Sequence, residues 1–439
     1  MANDARAVAH RTLTETLRRR RPLDAAFEEA VALQPLSVRD SGFARTIANE
    51  TMRRFGQLDD LVRRFVPRAP PPHRAGATLE ILLAGACELL FLAVPAHAAV
   101  DGANRLAAAD PKAVHFKGLV NAALRRIALE GPEVLSTQDA LVLNTPDWLW
   151  TRWCEAYNEE TVRAIASAHL RTPPLDIFLR PSCDLASSRT DDVATAMSNR
   201  QPAVLPGGMV RLERAGSVQE LPGFREGEFW VQDFAASLPV RLFGDLRGRC
   251  VIDLCAAPGG KTAQLVCGGA HVTAVEKDQN RLARLAANLD RVSLSARLVL
   301  SDVRDFRPDR SADCVLLDAP CSSTGTIRRH PELPWIKTAS DIAASTGAAG
   351  ELLDAASTMV APRGQLVFAV CSLEPEEGPE QVAHFLRRRS DFRRVPIVPA
   401  ELFELSECID ADGDLRSLPC HLAERGGMDG FYAARLMRL

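Results

Sequence analysis

Two cysteines and one aspartate are the residues of this chain best placed to do chemistry. Cys321 follows Asp318-Ala319-Pro320 and precedes a run of small residues, Ser322-Ser323-Thr324-Gly325. Cys371 ends a very apolar run and is followed by Ser372-Leu373-Glu374-Pro375-Glu376-Glu377. A thiol works as a nucleophile in its thiolate form, and a nearby helix N-terminus or cation lowers its pKa. By contrast Cys87, Cys154, Cys250, Cys267 and Cys314 read as small buried hydrophobes.

A second stretch, Val251-Ile252-Asp253-Leu254-Cys255-Ala256-Ala257-Pro258-Gly259-Gly260-Lys261-Thr262, has the order of a buried strand, a glycine turn and a new helix. That order makes a nucleotide-type site at a strand's carboxyl end, because glycines admit a ligand to the backbone and the helix start offers free N–H groups. It is neither G-x-G-x-x-G nor a phosphate-binding P-loop, whose first glycine would fall at Cys255. Further strand ends carry acids. Glu276 is placed to accept from both hydroxyls of a ribose, and Asp302 to reach an adenine amino group. Taken singly, each reads equally well as a helix cap or turn residue. Several successive strand ends each carrying a suitable group favour one ligand crevice.

These groups need a scaffold, and the region from about 236 onward supplies one. Strands are predicted at 250–254, 271–275, 297–300, 314–317, 365–370, 393–397 and 431–436. Helices are predicted between them at 261–266, 279–289, 340–359 and 376–388, the alternation of a parallel α/β sheet. A hairpin-like final connection makes an antiparallel edge. Residues 1–135 read as all helix, with segments at 5–19, 23–32, 38–55, 57–65, 77–91, 96–109 and 116–129. Residues 136–235 read as a small α+β insert, with a loop entering a strand at 173–180, strands near 203–205 and 229–231, and helices starting at 146 and spanning Arg189–Ser198.

Composition bounds the rest. With 439 residues the chain has room for about three domains. Its 46% hydrophobic and 25% charged residues are ordinary for a globular protein. The most apolar run, 81–93, is interrupted by Gly85, Cys87 and Glu88, so no membrane span is expected. The start, Met1-Ala2-Asn3-Asp4, does not read as a signal peptide. Eleven scattered cysteines without a C-x-x-C pair argue against a disulfide framework and against a metal site, and point to the cytoplasm. The net charge of −3 means that a polyanionic partner must meet local basic patches. Arg18-Arg19-Arg20-Arg21 and Arg125-Arg126 are the candidates, read equally as solvated helix ends.

The motifs in combination carry a resemblance. The stretches 253–262, 318–332 (D-A-P-C-S-S-T-G-T-I-R-R-H-P-E) and 371–377 are similar to those of RNA cytosine-C5 methyltransferases. The layout of nearly the whole chain resembles their bacterial RsmB (Sun) branch, which acts on 16S ribosomal RNA. The features that carry this are Leu179-Arg180, Trp230-Val231-Gln232-Asp233 and Gly427-Met428-Asp429-Gly430-Phe431-Tyr432. Stretches 45–54, 83–95 and 118–126 resemble the NusB-like RNA-binding domain. Glu276 stands where relatives commonly have Asp, and Gly378 where Asn is common.

The resemblance implies an all-α NusB-like domain, the insert, and a Rossmann-like class I methyltransferase domain at 236–439 with a mostly parallel seven-stranded sheet. It implies S-adenosyl-L-methionine as cofactor, held by Cys255, Ala256, Ala257, Pro258, Gly259, Gly260, Lys261, Glu276, Asp302 and Asp318. It implies Cys371 as the thiol that adds to cytosine C6, Asp318 at the base's N3/N4 edge, and Cys321 as the group that assists release. Arg328-Arg329-His330 would hold phosphates. The partner is RNA, 16S ribosomal RNA first, with no membrane and no metal, and the protein is expected to act as a monomer. Three other readings compete. A DNA cytosine-C5 methyltransferase would attack with Cys321 and lack Cys371. A silent RNA-binding assembly factor would need neither thiol. An enzyme of the same chemistry directed to a different RNA would keep both.

Overall fold

A computed structural model describes residues 5–180, 197–213 and 216–439. The helix expected at Arg189–Ser198 falls almost wholly outside the described residues. By contacts the chain forms two units, Met1–Arg171 with Ile327–Thr338, and Thr172–Thr326 with Ala339–Leu439.

The first unit is helical because its apolar residues recur on one side of each segment. Helices Ala5–Arg19, Leu23–Leu33 and Val38–Arg53 close around Val8, Leu13, Phe27, Ile47 and Met52. Helices Phe55–Phe65, Thr78–Leu90, Ala96–Ala109 and Lys117–Ser136 close around Leu58, Leu61, Leu83, Leu124 and Ile127. The unit runs to Arg171, beyond the boundary read from composition at 135. Helices Ala140–Leu143, Asp147–Tyr157 and Glu159–His169 belong to it. Hydrogen bonds explain this: Asn144 Oδ1 accepts the Gln57 N–H at 3.2 Å, and the His169 carbonyl accepts from Arg53 at 2.8 Å. The change of composition near 138 is a change of residue type within one packed body.

In the second unit the insert contributes β1 Leu175–Leu179, β2 Pro202–Val204, β3 Val210–Leu212 and β4 Phe229–Val231, an antiparallel sheet in the order β2-β3-β1-β4. A buried ion pair fixes it: Arg211 clasps Asp176 at 2.6 and 2.7 Å and also donates to the carbonyls of Arg425 and Gly427.

The main sheet holds β5 Cys250–Leu254, β6 His271–Glu276, β7 Arg297–Leu300, β8 Ala312–Asp318, β9 Val360–Val370, β10 Phe392–Arg394, β11 Leu415–Ser417 and β12 Phe431–Arg438. Seven strands run in the order β10-β12-β9-β8-β5-β6-β7, and β11 pairs with β12 as an eighth. From β7 across to β9 the pairing is parallel, while β12 is antiparallel to β9, β10 and β11. The last connection is therefore no hairpin. Residues 395–430 between β10 and β12 carry β11 and bury Leu402, Cys408 and Leu415.

Alternation along each parallel strand feeds two cores, one per face. Val315, Leu317, Leu366, Phe368 and Val370 point to one; Cys314, Leu316, Val367 and Ala369 point to the other. Helices Ala339–Thr358 and Pro379–Arg388 cover the first face, and Phe234–Arg241 and Gly260–Cys267 the second. The order reverses at β5 and β8, since the chain goes from β5 outward to β6 and β7 and returns to β8 on the other side. A ligand crevice opens at the carboxyl ends beside such a reversal.

Candidate active site

At that reversal lies a cleft of about 400 Å³. Its walls include Cys255, Ala257, Glu276, Asp302, Asp318, Cys321 and Cys371, which the sequence spread over more than a hundred positions. Each reaches it from a strand end. A larger hollow of about 500 Å³ lies at the opposite, amino edge of the strands, around Cys250, His271 and Arg297, away from these groups.

The glycine turn shapes one end. Gly259 has φ +107°, a left-handed conformation that L side chains rarely adopt, and it precedes helix Gly260–Cys267. Gln232 braces the turn from the insert: it accepts the Trp230 indole N–H at 2.8 Å and donates to Gln264 at 2.6 Å. Asp233 caps helix Phe234–Arg241 through the Ala235 N–H at 2.9 Å and accepts the Asp429 N–H at 3.0 Å. The Trp-Val-Gln-Asp stretch is thus the joint between insert and core.

Glu276 is 2% exposed. Its Oε1 accepts the backbone N–H groups of Lys277 and Asp278 at 2.9 and 3.1 Å. Its Oε2 is buried without a hydrogen-bond partner, with the Arg281 guanidinium at 3.5 Å. An unfilled acceptor facing the cleft suits a ligand hydroxyl, and the residues present fit a nucleoside such as that of S-adenosylmethionine. Calorimetry on Glu276→Ala is expected to show cofactor binding weakened by about 1–3 kcal/mol. Unchanged affinity would remove Glu276 from the binding site. Asp302 lines the same cleft, but Arg304 clasps both its oxygens, at 2.9 and 2.8 Å, and holds its carboxyl down at about 2. It stays ionised and still has lone pairs for an amino group. Cys255 is pushed up by burial to about 12 and is no nucleophile.

At the other end the two thiols meet. Cys321 Sγ and Cys371 Sγ are 3.5 Å apart, and the Ser323 hydroxyl is 3.5 Å from Cys371 Sγ. Cys371 is lowered below the ordinary thiol range, first by its hydrogen bond from Cys321, against burial and the charge of Asp318, with Ser323 and Lys261 helping. Cys321 is pushed well up, by the same bond and by burial. Of the two thiols, Cys371 is thus the one that ionises more readily and Cys321 the one that holds its proton. Beside them Lys261 Nζ lies 2.7 Å from Asp318 Oδ2. Burial acts to lower the Lys261 pKa, but the Asp318 charge and hydrogen bond outweigh it and raise it. Gly325 allows the loops to close: its N–H donates to the Cys371 carbonyl at 3.0 Å, and a Cβ there would fall 1.9 Å from the Gly430 carbonyl oxygen.

Other expected contacts land elsewhere. Arg328 is 1% exposed, and its carbonyl accepts from Arg53 at 2.8 Å, so this side chain is not offered to a phosphate. His330 faces Asp24 and Glu332 at 3.8 and 3.9 Å. The segment around them is part of the helical unit. In the run 18–21, Arg18 clasps Glu80, Arg19 and Arg21 pair with Glu15, and Arg20 donates to the Ile336 carbonyl. Arg18 and Arg20 thus tie segments of the helical unit together. Sequence reasoning overlooked Arg304, Arg281, Gln232 and Glu377 as supports of the site. Gln232 lies in the Trp-Val-Gln-Asp stretch and Glu377 in the polar stretch that follows Cys371, whereas Arg281 and Arg304 carry no such signal. Among the described residues no group of three or more His, Cys, Asp or Glu is arranged for a metal, and no helix is long and apolar enough to cross a membrane.

Comparison with known proteins agrees with this geometry. Residues 245–437 match the family described as 16S rRNA methyltransferase RsmB/F, and residues 3–129 match the NusB family. Ribosomal RNA small subunit methyltransferase B of Vibrio cholerae is 33% identical over 93% of this chain and 92% of its own length. The protein of that name from Pseudomonas putida is 34% identical over 93% and 92%. Among solved structures, that of PH0851 superposes with a TM-score of 0.76 over 98% of both chains at 22% identity, which speaks for the fold. With its cysteine pair, glycine turn and helical N-terminal unit, the chain belongs to the RsmB/F family of 16S rRNA methyltransferases.

Proposed function

We propose that this protein methylates C5 of a cytosine in small-subunit ribosomal RNA, working as a monomer in the cytoplasm, where that RNA is made. The observation that carries the reading is the pair of thiols 3.5 Å apart beside the Asp318–Lys261 pair, at the carboxyl ends of adjacent parallel strands. S-adenosylmethionine supplies the methyl group when bound. Glu276, Asp302 and the 255–261 turn hold its nucleoside and amino-acid ends, with Asp318 at their edge.

Cytosine C5 is too weak a nucleophile to be methylated directly. The Cys371 thiolate adds to C6, turning the ring into an enamine whose C5 can accept the methyl group. Asp318 accepts from the amino group at the N3/N4 edge and, as N3 takes up a proton from water on addition, from N3–H, so that the electron density pushed into the ring is neutralised there. Once the C5 proton has passed to a base, the C6–S bond breaks, and Cys321 assists that release. The base must leave its stack to enter the cleft. Cys371 at the end of β9 favours this reading over the DNA-enzyme scheme, and the two thiols facing one cleft favour it over a silent assembly factor. The test is transfer of labelled methyl from S-adenosylmethionine to ribosomal RNA, with the product nucleoside identified as 5-methylcytidine. Label in DNA alone, or none in either, would refute the proposal.

RNA affinity is assigned to the helical unit. Its exposed cations without a side-chain partner among the described residues include Arg68, Arg74, Lys112 and Lys117. Arg74 lies in helix Pro72–Ala75 and Arg68 precedes it, while Lys112 and Lys117 flank the turn Ala113–Phe116, which touches that helix. Replacing the four by Ala is expected to weaken RNA binding in filter titrations. The salt slope should fall by about 0.7–0.9 for each phosphate that the protein no longer neutralises. An unchanged slope would place the RNA on another face.

A further inference from the structure

Both cysteine loops hang from one buried carboxylate. Glu377 is fully buried. Its Oε1 accepts the Ser322 backbone N–H at 2.8 Å, and its Oε2 accepts the Ser322 hydroxyl at 2.6 Å and the Ser372 hydroxyl. Ser322 is the residue after Cys321, and Ser372 the residue after Cys371. The neighbouring hydroxyls close the network. Ser322 Oγ is 3.3 Å from Ser372 Oγ, Thr324 Oγ1 accepts the Leu373 N–H at 3.0 Å, and Ser372 Oγ accepts the Glu374 N–H at 3.0 Å. Arg416 completes it by donating to the Ser372 carbonyl at 2.7 Å.

This arrangement is costly as mere packing. A buried carboxylate loses its hydration, and an apolar side chain of similar volume would fill the same space without that loss. The carboxylate is tolerable only while its donors stay in place, and all three come from the two loops that carry the thiols. Moving either loop under-bonds the charge, so the charge resists motion of either loop.

We propose that Glu377 is a positioning residue for the methyl transfer: as the shared acceptor of Ser322 and Ser372 it fixes the spacing of Cys321 and Cys371. Burial pushes the Glu377 pKa up, and the hydrogen bonds from Ser322 and Ser372 act against that rise. The inference rests on the thiol roles assigned above.

The test is Glu377→Gln in the full-length protein. Its amide oxygen still accepts, but its NH₂ faces donors. Turnover on ribosomal RNA should fall about 10–100-fold through kcat, as for a small misplacement of reacting groups, with KM for RNA and for S-adenosylmethionine within a few-fold of wild type. Glu377→Asp should recover part of the loss. Ser322→Ala and Ser372→Ala each remove one hydroxyl, should lower kcat by smaller factors, and stand in should Glu377→Gln not fold. A kcat within twofold of wild type in all these variants would overturn the inference, as would a loss carried by KM alone. Cys371→Ala run in parallel separates the two ideas. If that variant still forms an adduct, the thiol assignment itself fails. If it does not and Glu377→Gln is silent, only the positioning role fails.

Discussion

With Cys371→Ala, no covalent protein–RNA species should form, and turnover should fall by at least about 10³-fold, as for loss of a nucleophile acting within a concerted set. Cys321→Ala should lose turnover too, but by a different failure. It should still attack C6 and accept the methyl at C5, then stall, leaving an adduct that survives denaturing electrophoresis. The site supports this division, since the two thiols are 3.5 Å apart and Cys371 is lowered while Cys321 is raised. The same contact gives a pH test. Cys371 is lowered chiefly by the bond from Cys321, with Ser323 and Lys261 helping and burial and Asp318 opposing. Removing Cys321 removes the largest lowering influence. Adduct formation by Cys321→Ala should therefore rise with pH over a higher range than in wild type, followed by single-turnover trapping. An adduct with Cys371→Ala and none with Cys321→Ala would reverse the roles and favour the DNA-enzyme scheme. A Cys321→Ala enzyme that turns over normally would reduce Cys321 to packing.

Much of the site is legible in the sequence because strand ends leave marks there. Apolar runs closed by Cys255, Glu276, Asp318 and Cys371 place these residues at one edge, and the 400 Å³ cleft holds all four. What stays hidden are partners that meet only after folding. Arg18–Arg21 reads as a cationic stripe, and nothing local to it announces Glu80, over sixty positions away, or the Ile336 carbonyl, over three hundred away. Arg328 stands beside the catalytic loop in sequence yet belongs to the helical unit, where Trp335 packs against the core with its ring centroid 4.7 Å from that of Phe55. This also bears on experiments: a chain cut near residue 135 would strip that segment of its packing, so RNA binding is better probed by surface substitutions in the intact protein. The final strands depart from expectation for a related reason. Phe392–Arg394 and Phe431–Arg438 do pair, but 36 residues lie between them, and period-2 patterning does not encode which strand inserts beside which.

Asp318→Asn should lower kcat by about 10²–10³-fold, the loss typical of one preorganised charge-stabilising group at a reacting centre. Cofactor affinity should change much less, because Glu276 and the glycine turn remain. The substitution also strands Lys261, whose ammonium lies 2.7 Å from Asp318 with its side chain 11% exposed. In the wild type the Lys261 pKa is raised, so the pair's contribution to stability is full below the unfolded value of about 10.4 and is lost only as pH rises above it. Wild-type stability from this pair should thus be flat between roughly pH 7 and pH 9. In the variant burial is opposed only by the weaker charges of Asp253 and Cys371, so the Lys261 pKa should drop below its unfolded value. The unfolded chain then binds the proton more readily than the folded one, and stability climbs as pH rises. The melting-temperature deficit of Asp318→Asn against wild type should therefore narrow from roughly pH 7 to pH 9, read by calorimetry without cofactor. A deficit that stays constant or widens would show that Asp318 is not what keeps Lys261 charged. A variant with near-normal kcat would remove Asp318 from the chemistry.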